Sequence, residues 1–365
     1  MNKKIYYLLF IISLGLFTAC SDDDDSNEAL ITKMTFDNAI VVSQPTIDGT
    51  NIVFQISEDA TAENLKELIP TIEISRKATV DPASGSKVDF SEGSVKFTVT
   101  AEDGKSKTEY TVSYQRVGKY DFEEWIAENT HKDPEMVYYA PVREWASCNP
   151  GVYFLKMFSK ADRFSVTKSS KEDAYVGEAA ARIETLQTNT EDGKGGALYP
   201  VVTTGTLFLG KFQTVLGNTL LSTKFGISYA KKPVAVKGHY KYTPGNKFYR
   251  CSDPEKYNTV TLEENTTDEC AINAILYEIE SDEDAYLTGV DAYTSDKLVA
   301  VAKLEDGTAK DKYTEFSIDL KYTKTYDPTK KYRFAIICSS SKYGDTFSGA
   351  PGSLLYVDDI EVISE

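Results

Sequence analysis

The sequence predicts an all-β protein built as two sandwiches in series. Three observations carry that prediction. Apolar and polar residues alternate with a period of two in several short runs, as in residues 51–56 and 234–242, which marks strands with one buried face. Tyr and Phe number 24 and 17 against 4 Met, and aromatic side chains suit strands and wet loops alike. The 365 residues exceed what one ordinary sandwich needs and suit two domains.

Residues 1–20 are a processing signal. Lys3 and Lys4 precede an apolar stretch, residues 5–17, too short to span a bilayer comfortably. Phe17-Thr18-Ala19-Cys20 follows and resembles a bacterial lipobox, which implies that Cys20 is diacylated and becomes the mature N-terminus. An ordinary secretory signal with a chance cysteine is the plainer alternative. Four consecutive aspartates, residues 22–25, repel one another and stay solvated, so residues 21–28 read as an acidic tether. Such a run directly after a lipidated cysteine also resembles the surface-export signal of Bacteroidetes lipoproteins. The resemblance implies an outer-membrane lipoprotein exposed at the cell surface.

A formal charge of −16 disfavours nucleic acid and anionic headgroups as partners and leaves neutral ones such as glycans open. Besides Cys20 there are Cys148, Cys251, Cys270 and Cys338, none with a neighbour at metal-site spacing. In an oxidising compartment a Cys251–Cys270 bridge would close one long loop; free buried thiols are the alternative.

Residues 29–117 read as the first domain. Residues 51–56 and 71–75 alternate as strands, and residues 62–68 between them make one or two helical turns, ended by Pro70. Two runs, SVKFTVT and TEYTVSY, flank Asp103-Gly104 and form a hairpin. Strands at this spacing with one short helix argue for an immunoglobulin-like β-sandwich.

The boundary falls at residues 118–121, and residues 120–365 form the larger domain. Residues 122–129 open it, either as a helical face bearing Phe122 and Trp125 or as a strand and turn. Residues 145–151 place Trp145 in a polar loop. Residues 174–185 read as a strand with a glycine-led entry. Along residues 234–242, Val234, Val236, Gly238, Tyr240 and Tyr242 share one face, and Ala235, Lys237, His239 and Lys241 the other. Residues 247–269 are an irregular insertion, residues 270–279 a core strand, and the acidic tract 281–284 a loop that fails the EF-hand pattern. Two closing strands, around residues 334–337 and 355–362, flank a Gly- and Ser-rich loop carrying Lys342, Tyr343, Asp345 and Phe347. They read as a last hairpin whose second strand has its phase disturbed by Asp358 and Asp359.

That ending, together with Trp145-Ala-Ser-Cys-Asn149-Pro-Gly151 and Leu207-Phe-Leu-Gly-Lys-Phe212, resembles the putative carbohydrate metabolism domain of Bacteroidetes lipoproteins. The resemblance covers roughly residues 120–365. It implies a jelly-roll β-sandwich behind the immunoglobulin-like module, with that module as a spacer. The opening Phe122-Glu123 is similar to jelly-roll carbohydrate-binding modules, in which a first Glu and an acid of the last strand hold a structural calcium. Here those would be Glu123 with Asp358 or Asp359, and solvated acids are the alternative. No other cofactor is expected.

Three functions follow: a glycan-binding lipoprotein acting as a monomer, a glycoside hydrolase, or a structural surface protein. Hydrolysis needs two carboxylates, and among 56 acids only Glu123, Glu124 and Glu144 neighbour a tryptophan. His131 and His239 lack a nucleophile elbow to serve. The expected site is a glycan-binding groove of Trp145, Asn149, Tyr240, Lys342 and Asp345. It would offer an aromatic plate and paired polar groups. The plainer readings are Trp145 as a plug, Tyr240 as core, and a surface pair of Lys342 with Asp345.

Overall fold

The computed structural model describes residues 26–57, 60–142, 144–158, 161–191, 194, 199–215, 218–281 and 283–365. Cys20 and the aspartate run lie outside them. The chain packs as two compact units that divide between Tyr114 and Gln115.

The first unit is an immunoglobulin-like β-sandwich. Its larger sheet has the order Val41–Asp48, Asn51–Ile56, Lys107–Arg116, Val95–Thr100, Thr79–Asp81, and Ile31–Phe36 pairs with Pro70–Ile74 apart from it. The alternation of the sequence is spent on one core, where Phe54 meets Phe36 at 4.5 Å and Phe90 edge-on at 5.4 Å. The hairpin bend is fixed by Asp103, whose carboxylate accepts the amides of Lys105 and Ser106. The helix is a single turn, Ala62–Leu65, capped by Thr61, and Pro70 starts the next strand at an edge where its missing N–H costs nothing.

The second unit is a jelly roll of two antiparallel sheets. One runs Trp145–Ser147, Thr206–Phe212, Lys331–Ser339, Ala271–Ile279, Leu298–Lys303, Lys321–Tyr322. The other runs Val166–Lys168, Ala181–Glu184, Leu354–Ser364, Pro233–Thr243, Lys310–Asp319, and Lys119–Tyr120 also pairs with its Leu354–Ser364 strand. Leu207, Ile272 and Phe334 from the first sheet pack against Val236, Phe316 and Val357 from the second.

The two closing strands are therefore not a hairpin. Lys331–Ser339 and Leu354–Ser364 lie in opposite sheets, and the loop between them crosses the sandwich. The unbroken apolar run of residues 334–337 has a physical reason: Phe334 and Ile336 face the inter-sheet core, while Ala335 and Ile337 face a second cluster with Phe208, Ile275 and Leu287. The disturbed phase at Asp358 and Asp359 is a bulge. Asp359 adopts a left-handed φ of 47°, and pairing slips between Lys237 opposite Glu361 and His239 opposite Asp358.

Other expectations are corrected by packing. Of the two readings of residues 122–129, the strand holds: residues 125–127 pair with Tyr139–Pro141. Only Ala181–Glu184 of the 174–185 stretch is strand. A helix, Asn149–Phe158, follows Trp145 where a loop was expected, its first amide held by the Ser147 hydroxyl. The 247–269 insertion contains a short ladder, Phe248–Arg250 with Thr261–Glu263. Cys148, Cys251, Cys270 and Cys338 are all free thiols, so the Cys251–Cys270 bridge is not formed. No helix among the described residues is long and apolar enough to cross a membrane.

Candidate functional site

The expected groove does not assemble. Trp145 lies on a strand, is only 5% exposed, and packs edge-on against Tyr120 at 5.1 Å and beside Phe122 at 5.3 Å. An indole enclosed in this way offers no face to a sugar. Asn149 is fully buried and works as a surrogate strand: its Nδ2 donates to the Val166 carbonyl at 2.6 Å and its Oδ1 accepts the Val166 amide at 3.0 Å. Tyr240 belongs to the inter-sheet core and donates its hydroxyl to the Asp306 carbonyl. Lys342 and Asp345 are exposed, as expected, but Lys342 pairs with Glu269 at 2.8 Å. Among the described residues, none of the five lines the cavity beside the Trp145 segment.

Glu123 and Asp358 do approach one another, and both grip the loop of residues 175–179. Asp358 accepts the amides of Tyr175 and Val176, and Glu123 those of Glu178 and Ala179. Asp358 further accepts the Asp359 amide. Burial pushes the Asp358 carboxyl up to about 6, against the pull of these amides. Calcium needs six to eight oxygen ligands. Here the carboxylate oxygens face N–H groups, which present positive ends, and among the described residues no three His, Cys, Asp or Glu side chains are grouped to hold an ion. The arrangement does not fit the expected calcium; the amides of the loop stand where it would be.

The two loops singled out in the sequence nevertheless meet, through other residues. Cys148 and Gly151 from the Trp145 segment, and Gly344 and Phe347 from the crossing loop, line one cavity of about 570 Å³. The Asn149–Phe158 helix contributes Phe154 and Phe158, of which Phe158 is 64% exposed. Thr206 and Phe212 come from the two ends of the Thr206–Phe212 strand, and Phe212 lies 3.4 Å from where a Cβ on Gly151 would stand. Tyr257 of the insertion stacks obliquely on Phe347 at 5.0 Å. Threonines complete the wall, among them Thr203, Thr204, Thr214 and Thr219.

The crossing loop is held from below by a buried carboxylate. Asp268 Oδ2 accepts the Ser341 and Ser353 hydroxyls and the Ala350 amide, and Oδ1 accepts the Glu269 amide. Burial raises its carboxyl above the ordinary range and these donors draw it back in part. The Thr185 hydroxyl meets those of Ser340 and Ser341 at 2.7 Å. Burial likewise pushes the Cys148 thiol up. The helix and the Asp268 network were missed in the sequence. Asn149-Pro150 before an apolar, lysine-ended run was a readable helix start, whereas nothing local marks Asp268 among the acids.

Residues 121–363 match the family model described as Putative carbohydrate metabolism domain, and residues 31–113 match that described as SGBP, N-terminal. Comparison with curated proteins gives no match. Among solved structures, the chain is similar to one described as a putative glycoside hydrolase from Bacteroides thetaiotaomicron. The two are 28% identical over 94% of this chain and 99% of that one, with a TM-score of 0.54. A second, described as a putative glycoside hydrolase from Bacteroides vulgatus, is 26% identical over 68% of this chain and 98% of that one, with a TM-score of 0.55. With residues 121–363, about two thirds of the 365-residue chain, matched, the chain belongs to the putative carbohydrate metabolism domain family.

Proposed function

We propose that the protein is a lipid-anchored, monomeric glycan-binding protein of the outer-membrane surface, and that the 570 Å³ cavity is its binding site. The observation that carries this reading is the chemistry of the cavity wall. It combines aromatic rings (Phe154, Phe212, Tyr257, Phe347) with threonine hydroxyls, and its volume lies in the range of small-ligand sites. Aromatic faces receive the C–H side of a sugar ring and hydroxyls receive its oxygens. Membership of a carbohydrate metabolism family and the SGBP-type first domain support the same class of ligand. The first domain serves as the spacer between Cys20 and the jelly roll.

The name of the structural relatives favours a second reading, hydrolysis. That chemistry usually needs two carboxylates about 5–9.5 Å apart. Among the described residues lining the cavity there is no Asp or Glu. The buried Asp268 nearby has both oxygens committed to donors, which suits a fixed support better than a proton shuttle. The cavity therefore supports binding.

A glycan array probed with residues 21–365 tests the reading. Retention of at least one glycan, lost on Phe347→Ala with an unchanged melting temperature, is the expected result. Cleavage of the retained glycan, or binding that Phe347→Ala leaves intact, would overturn it.

A further inference from the structure

A second cavity, of about 310 Å³, opens at one edge of the second sheet. One wall is the edge strand Val166–Lys168 with Phe164 just before it. The other is the ribbon of residues 125–127 and Tyr139–Pro141. The two cavities share no described lining residue. The register of the ribbon sets the chemistry of its wall. Tyr139 pairs with Ala127 and Pro141 with Trp125, so Trp125 and Tyr139 are diagonal neighbours on one face, and both line the cavity. The Trp125 indole N–H donates to the Phe122 carbonyl at 2.8 Å, which fixes the ring, and Tyr139 is 47% exposed. Tyr138 packs on Phe164 at 5.4 Å and completes an aromatic wall.

A cation stands in this wall. Lys168 lines the cavity, and its ammonium donates to the Glu123 carbonyl at 2.7 Å. That bond uses one of three donors and leaves the charge without a carboxylate partner among the described residues. A second ammonium, that of Lys156, lies 5.2 Å from the centre of the Phe164 ring and likewise donates to a carbonyl, that of Asp162. Of the acids in this region, Glu123 has its carboxylate turned to the amides of Glu178 and Ala179, and burial raises the Glu128 carboxyl. In a chain of formal charge −16, aromatic faces beside an ammonium with donors to spare form a local exception.

We infer that this second cavity binds a sugar ring that carries an anionic group, a carboxylate or a sulfate. Trp125 and Tyr139 receive the C–H face of the ring, and the Lys168 ammonium receives its charge. The site is separate from the 570 Å³ cavity, so the two can fail independently.

The test titrates residues 21–365 with three probes of equal length: neutral galacto-oligosaccharides, oligogalacturonates and sulfated galacto-oligosaccharides. Tryptophan fluorescence reads this cavity directly, because the other of the two tryptophans, Trp145, is enclosed in the core. At least one anionic probe shifts the emission and binds about fivefold or more tighter than the neutral one, by a margin that shrinks as salt rises. The anionic probe that binds identifies the group. Lys168→Gln removes the margin at an unchanged melting temperature. Tyr139→Ala weakens the anionic probe about fivefold or more, and Phe347→Ala, in the other cavity, leaves it as it was. Neutral and anionic probes bound equally, full anionic affinity in Lys168→Gln or Tyr139→Ala, anionic binding lost in Phe347→Ala, or no binding of either anionic probe would each overturn the inference. The glycan-binding reading of the 570 Å³ cavity fails only by its own array and Phe347→Ala result.

Discussion

The Asp268 carboxylate accepts the Ser341 hydroxyl at 2.5 Å, and through that bond a residue before one core strand holds the start of a loop 73 positions later. Ser353, at the far end of the same loop, donates to the same oxygen at 2.7 Å. One side chain thus pins both ends of the segment that brings Gly344 and Phe347 to the cavity. Asp268→Ala would leave two hydroxyls and two amides without their acceptor. The expected cost is about 3 kcal/mol or more, read by denaturant unfolding, with glycan binding weakened as well. A loss below about 1 kcal/mol would mean that the loop holds itself.

Trp145→Ala is expected to cost about 3–5 kcal/mol, because the indole fills the core against Tyr120 and Phe122. Thermal or urea unfolding measures it. A nearly unchanged stability would return Trp145 to the surface role that its polar neighbours first suggested.

Asp358 makes stability depend on pH in an unusual direction. Its folded carboxyl titrates near 6, above the unfolded value near 4, so the folded state binds the proton more tightly. Protonated Asp358 is favoured below the unfolded value, and the advantage is lost as pH rises through about 6. The size is bounded at about 3 kcal/mol by the shift. Subtracting the pH profile of Asp358→Asn from that of wild type should leave a fall in stability between about pH 4 and 6. A difference profile that is flat or rising there would contradict the burial of this carboxylate.

How much of this was legible differs by residue. Strands with one buried face, such as Pro233–Thr243, could be read directly, because alternation records burial on a single side. Even the anomaly at Asp358-Asp359 was visible as a phase error, and it is a bulge. The sheet to which each strand belongs was not visible, since residues 334–337 and 355–362 read the same whether paired together or set in opposite sheets. Trp145 and Asn149 misled for a different reason. A polar sequence context was taken for exposure, but Asn149 is polar in order to satisfy the buried main chain of Val166. The cavity depends on contacts between four distant segments, which no local pattern announces.

Gly344→Ala tests the tight approach of the crossing loop to Thr204. The added methyl must displace the loop or the threonine, an overpacking of about 1–3 kcal/mol. Glycan affinity should fall by about tenfold or more with the circular dichroism spectrum preserved. Unchanged affinity would show that the loop moves freely and does not shape the site.

Cys20→Ala should leave an uncleaved precursor or shift mature-sized protein from the membrane to the soluble fraction. Unaltered processing and membrane partition would remove the lipid anchor from the proposal.

The position of the Leu354–Ser364 strand has a consequence for the order of synthesis. It lies in mid-sheet, between Ala181–Glu184 and Pro233–Thr243, with Lys119–Tyr120 also paired to it. Every one of these partners leaves the ribosome more than a hundred residues earlier. Until the last strand arrives, two apolar strand faces and their unpaired edges have nothing between them. The immunoglobulin-like unit, whose strands all precede residue 117, has no such wait. Synthesis of this chain therefore leaves the jelly roll open, with bare strand edges, until the Leu354–Ser364 strand emerges.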